Sequence, residues 1–136
     1  METIVVYTTK TGSTKKYANW IGKAIDAKVL TFAEAESSDL DQFDRVIVSS
    51  GTYAGRMPLT KFLKQKWDVL ESKKVVVVAV GDVDPDHVWS KFSYKLIPKK
   101  IRDVIKYYKL PGDIGKVVTE DEANAKLGPV LKYLQS

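Results

Sequence analysis

The sequence predicts an α/β fold, a doubly wound sheet of five parallel strands with helices on both faces. Five short runs rich in β-branched residues alternate with segments of helical periodicity. The run at residues 74–80 is apolar almost without interruption, as in a strand that is buried on both faces of a parallel sheet. Right-handed crossovers between successive strands then place helices on both faces.

The first third of the chain predicts a strand, a helix and a second strand. Residues 3–8 form an apolar β-branched run, and apolar residues recur at helical spacing over 13–27. Residues 28–32 predict a short strand. The acidic stretch around residues 37–43 predicts a surface turn or a short helix.

The middle of the chain predicts two further strands around one helix. Residues 45–49 predict the third strand, and a loop rich in Ser, Gly and Thr follows over 50–56. Residues 58–70 predict a helix, since proline at its first position suits a first helical turn. Residues 74–80 are the fourth strand and carry the strongest strand signal in the chain.

The last third of the chain predicts helices on either side of a final strand. Residues 86–105 are expected to be mostly helical, and Pro98 either divides this region or starts a second helix. Residues 106–110 predict the fifth strand, which a Pro-Gly pair ends. Residues 120–134 predict the closing helix, with apolar residues on one side and a Gly-Pro pair as a candidate kink.

Length and composition exclude several classes of protein. The 136 residues fit one domain, 1–136, and 44% of them are hydrophobic, as in globular chains. No apolar run approaches the roughly 20 residues of a membrane span, and the N-terminus lacks a signal-peptide pattern. The absence of cysteine excludes disulfides and thiolate sites, and His87 is the single histidine. We therefore expect a cytoplasmic protein with no metal site.

A cluster of hydroxyl side chains follows the first strand directly. Five of the seven residues from 8 to 14 are Ser or Thr, and the predicted helix begins within the cluster. Such a loop can direct several N–H groups and hydroxyls at one anion, and the helix dipole adds positive charge. A plain helix N-cap formed by Thr11 or Ser13 is the alternative, but one cap needs only one hydroxyl. The predicted phosphate-binding residues are Thr9, Lys10, Thr11, Gly12, Ser13 and Thr14.

This loop resembles the phosphate loop of the flavodoxin family, [Ser/Thr]-x-Thr-Gly-x-[Ser/Thr], which binds the phosphate of FMN. The resemblance extends over nearly the whole chain, through its pattern of strands and helices and two further loops. It implies the flavodoxin-like strand order 2-1-3-4-5, with the ligand crevice at the C-terminal ends of strands 1 and 3. It also implies non-covalent FMN as the cofactor.

The loop after the third strand resembles the flavin-stacking loop of flavodoxins, which runs Ser-Thr-aromatic-Gly. The resemblance implies that Tyr53 stacks on the isoalloxazine ring and that the Ala54-Gly55 peptide turns its carbonyl toward flavin N5. A core or rim tyrosine without a ligand is the alternative for Tyr53. The residues expected to contact FMN from this loop are Ser50, Gly51, Thr52, Tyr53, Ala54 and Gly55.

The loop after the fourth strand begins with Gly-Asp, as does the flavodoxin loop whose backbone meets the pyrimidine edge of the flavin. The residues expected to contact FMN here are Gly81, Asp82, Val83 and Pro85. Many flavodoxins place a second stacking aromatic where this chain has Pro85. The second flavin face is therefore covered by Pro85, by His87 or Trp89, or left open.

The charge of the chain also departs from the family, because many flavodoxins are strongly acidic and this chain has a formal net charge of +5. Arg56 follows the second loop and is either an exposed loop charge or a cation near the flavin, where it would favour the reduced form. Residues 91–116 carry eight Lys or Arg against two Asp. This segment is either a solvated face or a docking surface for an acidic redox partner, such as a ferredoxin or a reductase. Nucleic acid is disfavoured because no recognition motif is present.

The resemblance implies an electron-transfer flavoprotein that carries electrons between redox partner proteins and has no catalytic residue of its own. An FMN-dependent oxidoreductase of the quinone-linked protoporphyrinogen oxidase type is the alternative, although the long insertion of those oxidases is not evident. A receiver domain is rejected, because Thr8-Thr9 and Ser49-Ser50 stand where it needs carboxylates. No dinucleotide-binding or nucleotide-hydrolase glycine motif follows any predicted strand.

Overall fold

Five parallel strands form a sheet in the computed structural model of this chain, which describes residues 2–9, 12–36, 40–52, 56–81, 88–110 and 119–135. In chain order the strands are β1 (Thr3–Thr8), β2 (Lys28–Thr31), β3 (Arg45–Gly51), β4 (Lys74–Val80) and β5 (Lys106–Leu110). Their order across the sheet is β2-β1-β3-β4-β5. The predicted fold and strand order are therefore confirmed.

Helices connect the strands within the described residues. They are α1 (Ser13–Ile25), α2 (Phe32–Glu36), a 3-10 helix (Leu40–Gln42), α3 (Pro58–Leu70), α4 (Val88–Lys95), α5 (Lys99–Arg102) and α6 (Glu120–Gln135). Helix α1 ends two residues earlier than predicted, because Asp26 adopts a left-handed conformation with φ of 54°. Pro98 divides the region before β5 and is the N-cap of α5.

The two faces of the sheet are covered by different helices. Helix α3 covers one face, where its Leu59 and Leu63 lie in a buried cluster with Val77 of β4. Helices α1 and α6 cover the other face, where Ile21 and Leu127 lie in a second buried cluster with alternate residues of the same strands. Since successive side chains of a strand point to opposite faces, β4 is apolar from Val75 to Val80 because both of its faces are buried there.

The register of the sheet brings the ends of four strands to one edge. Thr8 of β1 is paired with Ser50 of β3, Ser50 with Ala79 of β4, and Ala79 with Lys109 of β5. Because the strands are parallel, the loops that follow β1, β3 and β4 leave the sheet at this same C-terminal edge. We call it the loop edge.

Strand β3 is longer than predicted. It continues to Gly51, so Ser50 and Gly51 belong to the strand, not to the loop that follows it. The backbone bonding even continues one residue further, since the Thr52 N–H donates to the carbonyl of Val80 at 2.8 Å. The start of the second loop is thereby attached firmly to β4.

A pair of glycines tests the packing of α1 against β2. A methyl group at Gly22 of α1 would collide with the side chain of Val29 and lie 3.2 Å from the carbonyl oxygen of Ala27. We expect Gly22→Ala to lower the free energy of unfolding by about 1–3 kcal/mol through overpacking. Gly128 of α6 is the matched control, because no described atom lies within 4 Å of a Cβ at that position.

We expect Gly128→Ala to leave the free energy of unfolding unchanged or raise it by up to about 1 kcal/mol through helix propensity. Urea denaturation of both variants measures the difference. A Gly22→Ala protein as stable as the wild type would contradict the close approach of α1 to β2.

Candidate functional site

The hydroxyl cluster predicted to bind phosphate lies where β1 leads into α1. Gly12 is the N-cap of α1 and has φ of 93°, a left-handed conformation that suits glycine. Its N–H donates a hydrogen bond to Oγ1 of Thr9 at 3.0 Å. Ser13 is the first helical residue, and among the residues that the structure describes no side chain caps this helix by a hydrogen bond. The alternative in which Ser13 is a simple N-cap is therefore wrong.

The start of α1 has the geometry of an anion site. Ser13 and Thr14 are buried, with 5% and 2% of their surfaces exposed. The first N–H groups of a helix have no partner within it, and the helix dipole places partial positive charge beside them. The space beside the Gly12 N-cap is open, since a Cβ at Gly12 would meet no described atom within 4 Å. These features fit a phosphate group.

The end of β3 connects the second loop to α3. Ser50 is fully buried, and its hydroxyl donates to the carbonyl of Gly51 at 3.0 Å. The same hydroxyl oxygen accepts from the N–H of Leu59 in the first turn of α3, at 3.3 Å. The Ser50 side chain therefore attaches α3 to the sheet, and the sequence did not reveal this role.

The start of the third loop is bonded to β5. Gly81 follows β4 directly, and its N–H donates to the carbonyl of Leu110 at 2.9 Å. The ammonium group of Lys109 in β5 extends across this position and donates to Oγ1 of Thr52 at 3.0 Å. Lys109 was not predicted as a site residue. Its place near the end of a strand, next to the third loop, was the signal that could have identified it.

Half of the sixteen predicted FMN contacts lie within the described residues, all at or beside the loop edge: Thr9, Gly12, Ser13, Thr14, Ser50, Gly51, Thr52 and Gly81. The other half lie outside the described residues and stay predictions: Lys10, Thr11, Tyr53, Ala54, Gly55, Asp82, Val83 and Pro85. His87 and the side chain of Trp89, the other candidates for the second flavin face, are also outside them.

Two cavities adjoin the second loop and β5. The first has a volume of about 530 Å³, and the exposed Arg56 lines it together with side chains of α3 and Leu96. The second has a volume of about 320 Å³ and is lined by Ser90, Lys91, Tyr94, Tyr107 and Lys109. Lys109, which lines this second cavity, is also hydrogen-bonded to Thr52 at the start of the second loop.

A neutral phenol lies in the wall of the second cavity. Burial raises the pKa of Tyr107 to about 12, and the neighbouring Tyr94 contributes a smaller part of the increase. The two rings meet edge to face, with their centroids 4.7 Å apart. The Tyr107 hydroxyl is therefore protonated at neutral pH, and it donates to the sulfur of Met57 at 3.7 Å.

The described residues contain no group of three or more His, Cys, Asp or Glu side chains that could hold a metal ion. Within the same residues, no helix has both the length and the apolar character needed to cross a membrane. The described residues of the loop edge include hydroxyls, backbone N–H groups and the Lys109 ammonium, which suit an anion.

The family model of the flavodoxin domain matches residues 4–120 of the chain. This chain belongs to the flavodoxin family. The match confirms the predicted family and supports FMN as the cofactor of this flavodoxin-family protein. No curated protein sequence matches the chain significantly.

Solved structures show the same fold at low sequence identity. An archaeal flavodoxin is 19% identical, with all of both chains covered and a TM-score of 0.67. The oxidised Flavodoxin 2 from Bacillus cereus is 16% identical, again with all of both chains covered and a TM-score of 0.65. A flavoprotein from Lactobacillus acidophilus, solved in complex with FMN, is 14% identical with a TM-score of 0.56, over 81% of this chain and 91% of that one.

The raised pKa of Tyr107 predicts a specific loss of stability in alkali. Its phenol ionises near pH 10 in the unfolded chain and near 12 in the folded protein, so folding stability falls as pH rises through this range. We expect Tyr107→Phe to remove this part of the pH dependence. Melting temperatures measured from pH 9 to 12 test this, with the exposed Tyr133→Phe as control. Parallel curves for wild type and Tyr107→Phe would contradict the burial of this phenol.

Proposed function

We propose that this protein carries electrons on non-covalently bound FMN between redox partner proteins. The observation that carries the proposal is that β1, β3 and β4 end together at the loop edge, where the loop after β1 leads into a helix whose start fits a phosphate group. Bound FMN supplies the redox chemistry. The chain binds and orients it and excludes water from it.

The FMN phosphate is proposed to bind at the start of α1. The left-handed Gly12 turns the chain so that the N–H groups of Ser13 and Thr14 lie at the helix N-terminus. Thr9 positions this turn through its bond to Gly12. The FMN complex of the Lactobacillus acidophilus flavoprotein, which shares the fold, supports the choice of ligand.

The flavin ring is proposed to lie between the second and third loops. Thr52 and Gly81 begin these loops, and their N–H groups are bonded to β4 and β5, so the backbone at this point is held in position. Tyr53 is proposed to stack on the ring and exclude water from one face. Ser50 holds the start of α3 next to the end of β3, because its hydroxyl oxygen accepts a hydrogen bond from the N–H of Leu59.

A substrate-oxidising enzyme of the protoporphyrinogen oxidase type is the second candidate. The cavity of about 320 Å³ beside Lys109 favours it, because such an enzyme needs room for a substrate next to the flavin. Stepwise reduction of the FMN-loaded protein distinguishes the two. Two separate one-electron steps favour the carrier, and a single two-electron step favours the oxidase.

The proposed phosphate site predicts a preference for FMN over riboflavin. Riboflavin lacks the phosphate, so its affinity should be much lower. Thr9→Val removes the acceptor of the Gly12 N–H, which positions the turn before α1, and should weaken FMN binding by about 0.5–1.5 kcal/mol, the scale for one lost hydrogen bond between neutral groups. Riboflavin affinity should barely change in that variant.

Fluorescence quenching of both flavins measures these affinities. Thr3→Val is the matched control, because Thr3 lies at the opposite end of the same strand, where its Oγ1 accepts a hydrogen bond from Nε of Arg45 at 3.2 Å. Equal affinities of the wild type for FMN and riboflavin would refute the phosphate site.

A partner-docking surface is proposed on α4 and α5. Lys91, Lys95 and Lys99 are exposed, and Phe92 between the first two has 48% of its surface exposed. Lys99 also forms an exposed ion pair with Asp103 at 2.9 Å. An apolar side chain among lysines suits a small, transient contact with an acidic redox protein, such as a ferredoxin or a reductase. A cytoplasmic location agrees with such partners and stays a prediction.

The docking surface predicts an electron-transfer rate that falls as salt is added, because salt screens charge to about 8 Å at 0.15 M. Reversal of Lys91, Lys95 and Lys99 to glutamate should slow the reaction at low salt and matter little at high salt. The control reverses Lys23, Lys28 and Lys74, which are exposed near the opposite edge of the sheet and change the net charge equally. A stopped-flow rate that does not depend on salt would show that the lysines are only a solvated face.

A further inference from the structure

Lys109 connects three strand ends at the loop edge. It lies on β5 in register with Ala79 of β4. Its ammonium group nevertheless bonds to Thr52, the residue after β3, so the side chain passes over the end of β4. The positive charge is therefore held at the point where the second and third loops begin.

Gly81 leaves the room that this arrangement requires. A Cβ at Gly81 would lie 3.0 Å from the Lys109 ammonium and 3.3 Å from Cβ of Thr52. The backbone of Gly81 does not have the positive φ that would by itself favour glycine. A side chain at this position would therefore crowd the Lys109 ammonium and Thr52, and glycine leaves that space open.

The location of the charge has a consequence for the proposed flavin site. Thr52 and Gly81 begin the two loops between which the flavin ring is proposed to lie, so the ammonium borders the ring site. Reduced flavin carries more negative charge than oxidised flavin when its proton is not taken up. A cation held beside the ring site, at a partly buried position, then favours the reduced state by direct Coulomb attraction.

We propose that Lys109 is a redox-tuning residue that raises the affinity of the site for reduced FMN relative to oxidised FMN. The inference rests on the proposed FMN function and adds a residue that the three loop motifs do not contain. A purely structural role, as a tie between β5 and the second loop, is the competing explanation. A tuning role changes the affinity for reduced FMN relative to oxidised FMN, whereas a purely structural role changes both affinities equally.

The experiment compares the midpoint potential of bound FMN in wild type, Lys109→Gln and Lys106→Gln, by titration against reference dyes. Lys109→Gln should lower the affinity for reduced relative to oxidised FMN about tenfold, which is about 30 mV for a two-electron couple. Lys106 is the matched control, since it lies on the same strand at the opposite edge and its removal changes the net charge equally. Lys106→Gln should leave the midpoint unchanged, and Lys109→Arg should keep it close to that of the wild type.

Three results would overturn the proposal. They are an unchanged midpoint in Lys109→Gln, an equal shift in Lys106→Gln, and an equal loss of affinity for both redox states with a lower melting temperature. The last result is what a structural tie predicts. A wild-type protein that binds no FMN refutes the proposed function instead, and this is seen before any variant is made.

A second variant keeps the test decisive if Lys109→Gln does not fold. Thr52→Val retains the charge but removes the acceptor that holds the ammonium group. It should lower the relative affinity for reduced FMN about twofold to threefold. An unchanged midpoint in a folded Thr52→Val protein would then count against Lys109 as the tuning residue.

Discussion

The parallel register of β1, β3, β4 and β5 is the constraint on which the rest of the structure depends. A shift of one strand by one residue along its neighbour would displace the loop that follows it by about 3.3 Å and turn every side chain of that strand to the other face of the sheet. The polar ends of the strands oppose such a shift: Arg45 is paired with Lys74 at one edge, and Thr8 with Ser50 at the other. A shift of β4 toward the loop edge would bury the exposed Lys74 among valines, and burial of an unpaired charge is costly.

Once the register is set, the loop edge follows from the fold, and its chemistry depends on a few residues. Helix α1 begins after a left-handed glycine, and its first N–H groups lie at the positive end of the helix dipole. At the ends of β3 and β4, by contrast, the backbone N–H groups of Thr52 and Gly81 are hydrogen-bonded to β4 and β5. The first part of the edge is thereby suited to an anion, and the second part holds the backbone in place where the flavin ring is proposed to lie. Lys109 adds a fixed positive charge between the two later loops.

Much of this arrangement could be predicted from sequence because its signals are local. Unbroken apolar runs identify the strands, and the hydroxyl cluster before α1 predicts a phosphate loop at that place. The five residues of α2 are too few to show periodicity, and Gly51 joins β3 only because β4 lies beside it and pairs Val80 with it. The Lys109–Thr52 bond spans 57 positions and the Leu59–Ser50 bond spans nine, so both depend on tertiary packing that no local pattern encodes.

The central claim is that one edge of the sheet binds FMN through its phosphate and its ring together. Amide chemical shifts recorded by NMR during FMN titration test it most directly. The account predicts large shifts for Gly12, Thr14, Thr52 and Gly81, and none for Lys28 or Lys74 at the opposite edge. Shifts confined to the opposite edge, or spread over the helices without a maximum at these four amides, would contradict it.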